Sequence, residues 1–136
     1  KKVALLSFGT RLEECLKAAK SLDQKGILTT VADARFAKPL DENLILQLCS
    51  VHDLIITIEE GSIGGFGSHV IHFLTEKGFI DKGIKFRSMI LPDQFLDQDT
   101  PENMYINAGL DAIAIEEKAL EALKSNVILS KVQLKN

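Results

Sequence analysis

Runs of apolar residues ended by glycine or acid alternate along this chain with stretches whose apolar positions recur every three or four residues. Val3-Ala4-Leu5-Leu6-Ser7-Phe8, closed by Gly9-Thr10, is nearly continuous, as a strand covered on both faces must be. Leu12, Cys15, Leu16, Ala19 and Leu22 then follow at helical spacing, and Gly26 stands where a helix ends. The unit repeats. Ile27 to Ala32 predicts a second strand, and Asp41 is placed to cap a helix whose inner face carries Leu44, Ile45, Leu48 and Cys49. Leu54 to Ile58 predicts a third strand, followed by a glycine-rich loop and a helix from about Ser68 to Lys77, closed by Gly78.

The last strand spans Ile84 to Leu91. Its first half sets Ile84 and Phe86 against Lys85 and Arg87, an alternation that suits a sheet edge. Thr100-Pro101 then opens a short helix ended by Gly109, and Asp111 caps a final helix striped by Ala112, Ile115, Ala119, Ala122 and Leu123. Strands joined by crossover helices predict a three-layer α/β/α domain around a mainly parallel sheet of four to five strands, ordered second-first-third-fourth. Residues 1–124 form that domain and residues 125–136 a tail, whose Val127-Ile128-Leu129 run could dock on the sheet.

The strand order puts the topological switch point between the first and third strands. Gly9-Thr10 and Glu59-Glu60-Gly61 should therefore line the crevice at their carboxyl ends. The glycine loop there, Glu59 to His69, fits neither nucleotide fingerprint: the glycine offsets are wrong for a dinucleotide site, and no Gly-Lys-Ser/Thr triplet follows. Its two carboxylates would also repel a phosphate. We expect one glutamate to accept hydrogen bonds from loop amides while the glycines permit close packing. Arg35 and Lys38 lie at the carboxyl end of the second strand, and Arg35 is a candidate partner for Glu59 or Glu60.

His69 and His72, three apart on a helix, could supply two metal ligands, but no third is apparent. No nucleophile elbow is present. With a net charge of −3 in 136 residues there is no general attraction to nucleic acid, and the apolar runs are far too short to span a bilayer. Cys15 and Cys49 sit on apolar helix faces and read as free thiols, in keeping with a cytoplasmic protein. The chain begins Lys1-Lys2 rather than with methionine, as expected of a piece of something longer.

Ala34 to Asp41, Thr57 to Gly61 and Gly64 to Ser68, in this order, resemble the C-terminal domain of the transketolase family. The beta subunits of 2-oxo-acid dehydrogenases carry similar patterns. Leu91-Pro92-Asp93-Gln94-Phe95 and Gly109-Leu110-Asp111-Ala112 are more similar to the 1-deoxy-D-xylulose-5-phosphate synthases of that family. The resemblance implies a bacterial, cytoplasmic, homodimeric parent enzyme of isoprenoid and thiamine biosynthesis that uses thiamine diphosphate and magnesium. It further implies that absent upstream domains of the same polypeptide hold both groups, so that no catalytic, cofactor or metal residue is expected here. Arg35, Lys38, Glu59, Glu60, Gly61, Gly64, Gly65, Phe66 and His69 then become candidate interdomain residues. An antiparallel strand that the family places beside the second strand would lie before Lys1, leaving the edge at Ile27 to Ala32 uncovered. Two alternatives stay open: a dehydrogenase beta-subunit domain, and a stand-alone module binding an anionic metabolite.

Overall fold

In a computed structural model of the chain, residues 1–35, 39–61, 65–90 and 110–124 are described. Strand β1 (Lys2–Phe8) leads through helix α1 (Leu12–Gln24) to β2 (Leu28–Ala34), and α2 (Glu42–Val51) leads to β3 (Leu54–Glu59). After β3 come α3 (Phe66–Glu76), a single 3₁₀ turn at Ile80–Lys82, β4 (Lys85–Met89) and α4 (Ala112–Lys124). The sheet is four-stranded and parallel throughout, in the order β2-β1-β3-β4. This is the order expected from placing the most apolar strands centrally, and it leaves β4 on an edge as its alternating pattern requires.

The central strands β1 and β3 are buried on both faces. Val3, Leu5, Leu54, Ile56, Ile58 and Met89 pack beneath α1 and α4, where they meet Cys15, Ala18, Ala19, Leu22, Ile115, Ala119 and Leu123. On the opposite face Ala4, Leu6, Ala34 and Ile55 meet Ile45 and Leu48 of α2 and Phe66, Val70, Phe73 and Leu74 of α3. Each large aliphatic side chain so enclosed contributes about 1.5–3 kcal/mol through removal from water. Leu16 departs from the expected stripe, being 53% exposed, and Ala18 takes its place inside. A spacing of three or four residues defines a stripe but not how far round the helix the neighbouring layer reaches.

The helix ends follow local chemistry. Asp41 caps α2 by accepting from the Leu44 amide at 3.0 Å, as its position implied. Gly26 and Gly78 end α1 and α3 with φ of +81° and +75°, a backbone that strains any residue with a Cβ. Asp111 caps α4 by accepting from the Ala114 amide at 3.1 Å. At the other end of α4, Lys1 Nζ donates to the Leu123 carbonyl and Lys85 Nζ to that of Ala122, placing positive charge where the helix dipole favours it. The fourth strand is shorter than expected, Lys85–Met89, and Leu91 falls outside the described residues. So do the helix expected after Thr100-Pro101 and the tail from Ser125.

Candidate functional site

Phe8 pairs with Glu59 at the ends of β1 and β3, so the two strands finish side by side and their following loops must meet. The crevice is where strand order places it. Thr10 donates its hydroxyl hydrogen to Glu60 Oε1, and Arg11 Nε lies 3.5 Å from the same oxygen. Arg11 is 9% exposed and also opens α1, its carbonyl accepting from the Cys15 amide. Glu60 is half-buried, and Gly61 beside it is exposed.

Glu59 has a different task. It is 1% exposed, and its carboxylate accepts from the Phe66 amide at 2.9 Å and from the Gly67 amide. These are the first two residues of α3, whose N-cap residue Gly65 offers no side-chain bond. A helix begins with amides that have no partner within it, and a carboxylate at that end is favoured by both hydrogen bonding and the dipole. Helix α3 therefore starts at Phe66 rather than near Ser68, because its cap arrives from the strand instead of from a local serine.

The glycines make room for this carboxylate. A Cβ on Gly61 would lie 2.6 Å from Glu59 Oε1; one on Gly67 would lie 2.5 Å from Ser88 Oγ, 2.7 Å from Thr57 Oγ1 and 3.1 Å from Glu59 Oε2. Phe66 is buried and stacks on Phe8, ring centroids 4.9 Å apart, which pins the first turn of α3 over the end of β1.

Arg35 is exposed, and among the described residues the cation at Glu60 is Arg11 instead. Sequence reasoning passed over Arg11 because it belongs to no motif; its place directly after Gly9-Thr10 at the switch point was the available signal. Lys38 and Gly64 lie outside the described residues. His69 is half-buried and His72 exposed, and no group of three or more metal-ligating side chains occurs among the described residues. Burial pushes the Cys15 thiol up to about 12, against the opposing influence of the Ser7 hydroxyl and the Arg11 charge, and the Cys49 thiol up to about 11. Neither is a nucleophile at neutral pH. No helix among the described residues is long and apolar enough to cross a membrane.

These features define a doubly wound parallel α/β domain in which Glu59 takes the amides at the start of α3 beside the switch point. The family profile described as transketolase, C-terminal domain, matches residues 1–115, and the chain belongs to that family. Among solved structures it is similar to one described as a split-gene transketolase, inactive beta4 tetramer, with a TM-score of 0.80 and 31% identity. That match covers 90% of this chain and 39% of the other. A transketolase mutant from Pichia stipitis in complex with xylulose 5-phosphate shares the fold, with a TM-score of 0.61 and 16% identity, over 89% of this chain and 16% of that one. The chain thus spans well under half the length of either.

Transketolases as a family use thiamine diphosphate with a divalent metal. The residues present do not fit that pair: the amides that could cradle a diphosphate at α3 are taken by Glu59, and no metal-ligating cluster accompanies them among the described residues.

Proposed function

We propose that this chain is a non-catalytic C-terminal domain of a thiamine-diphosphate-dependent transferase, and specifically of a bacterial, cytoplasmic 1-deoxy-D-xylulose-5-phosphate synthase. That enzyme condenses pyruvate with glyceraldehyde 3-phosphate and releases carbon dioxide. The observation carrying the non-catalytic role is the Glu59 carboxylate on the Phe66 and Gly67 amides, which closes from within the place where a doubly wound sheet usually takes a ligand. The half-buried Glu60 carboxylate, held by the Thr10 hydroxyl and the buried Arg11, is suited to a donor from an adjoining domain. The narrower identity draws its support from the Leu91-to-Phe95 and Gly109-to-Ala112 segments. The description of the split-gene relative as an inactive beta4 tetramer agrees with a C-terminal piece that does no chemistry alone.

In the full-length enzyme, Glu60→Lys is expected to weaken domain packing or dimerisation more than substrate affinity, read by sedimentation beside the Michaelis constants. An altered Michaelis constant with an unchanged dimer counts against the packing role. Release of labelled carbon dioxide from pyruvate, dependent on glyceraldehyde 3-phosphate, is expected of the parent enzyme. Ketol transfer from a sugar phosphate without decarboxylation would overturn the narrower identity.

A further inference from the structure

We propose that the junction between β3 and α3 is an anion site whose occupant is the chain's own Glu59 side chain, and that shortening this side chain hands the site to a small free carboxylate. The inference rests on the reading of this junction as closed from within. Three observations point to a fitted receptor and not merely a capped helix. Both carboxylate oxygens are engaged, Oε1 by the Phe66 amide at 2.9 Å and Oε2 by the Gly67 amide, so the turn presents two donors to one planar group. Glycines stand where a Cβ would collide with Oε1, at 2.6 Å on Gly61, and crowd Oε2, at 3.1 Å on Gly67, so the backbone passes close against both oxygens. The Thr57 hydroxyl, fully buried and without a hydrogen-bond partner among the described residues, lies against the same turn of α3.

Glu59→Ala removes the methylene carbon, the carboxyl carbon and both oxygens, leaving two buried amide donors unsatisfied. Acetate has those same four heavy atoms. The test compares thermal melting of the 136-residue chain and its variants in sodium acetate, sodium chloride and sodium phosphate at equal ionic strength. Glu59→Ala is expected to melt below the parent, and acetate to raise its midpoint saturably, with chloride and the larger tetrahedral phosphate giving no comparable rise. The parent and Glu59→Gln, in which the site is still filled, should not respond to acetate beyond their response to chloride.

An acetate effect of equal size on parent and variant, an equal response to phosphate, or no acetate effect on the variant overturns the proposal. If Glu59→Ala does not fold in chloride, refolding yield in acetate against chloride gives the same decision: recovery in acetate supports the site, and equal failure in both removes it. The outcome separates from that of the wider function. Acetate rescue in a chain whose parent enzyme proves to be something other than a thiamine enzyme keeps this inference and loses the other, and the reverse result does the opposite.

Discussion

At the carboxyl end of β3, Glu59 satisfies the amides of Phe66 and Gly67, Thr10 and Arg11 hold Glu60, and Phe66 covers Phe8. At β2, the opposite edge of the sheet from β4, Leu28 is 62% exposed; Leu16 on α1 and Val51 on α2 are also exposed, at 53% and 56%. β2 contains neither proline nor lysine, and Asp33 near its carboxyl end is the one charge along it. Where the sequence looked like a ligand cradle the first α3 amides are already taken by Glu59, whereas β2, which carries no motif, leaves Leu28 exposed on an edge strand. Polar closure at the junction and apolar exposure at the edge both suit a domain that works by packing, and they can be tested against each other.

The largest effect is expected from Gly67→Ala. The added Cβ would meet Thr57 Oγ1 at 2.7 Å and Ser88 Oγ at 2.5 Å. Ser88 can rotate away, but Thr57 is β-branched and fixed in the central strand β3, so α3 must lift and loosen its bonds to Glu59. Overpacking of this kind costs about 1–3 kcal/mol. At the edge, Leu28→Ser should stay within roughly 0.5 kcal/mol, as surface substitutions do. Urea denaturation of both variants reads the contrast, and a Gly67→Ala chain as stable as the parent would break it.

A smaller but more local effect should appear in amide exchange. In dilute solution the β2 amides that point away from β1 are expected to exchange close to the free rate, while β1 and β3, each bonded on both sides, exchange slowest. Raising the concentration should protect the β2 amides if the edge recruits another chain. Strong protection on both sides of β2 in a dilute monomer would show the edge to be covered and dissolve the contrast with the junction.

Strand order, the caps at Asp41 and Asp111 and the glycine helix ends were legible because each depends on a few neighbouring residues or on a period. The acceptance of loop amides by a glutamate was also legible in outline, since two acids beside glycines at a switch point leave few other arrangements. What escaped were contacts made across the fold. Arg11 reaches Glu60 over 49 positions of sequence, and Glu59 caps a helix it does not belong to, shifting the start of α3 by two residues. The exposure of Leu16 depends on where the sheet stops, which no helical period encodes.

The smallest effect concerns a second helix capped from elsewhere, which shows how much depth matters at the Glu59 site. Glu14 of α1 accepts from the Ala112 amide at the start of α4 at 2.8 Å, but in a partly exposed position where Lys17 also reaches it. Desolvation alone would raise its carboxyl; the hydrogen bonds from Lys17 and Ala112, with the Lys17 and Arg11 charges, outweigh it and hold the group below its ordinary 4.5. A carboxyl lowered on folding stabilises the folded state above its ordinary value, and that stabilisation is lost as pH falls through the folded value. Glu14→Gln should therefore cost a few tenths to about 1 kcal/mol near neutral pH, the range for charges at helix ends. The difference from the parent should shrink as pH drops below 4.5 and vanish in acid, as followed by urea midpoints across the pH range. A gap that persists unchanged in acid would mean that Glu14 acts through its shape and not its charge, and would remove the likeness to Glu59.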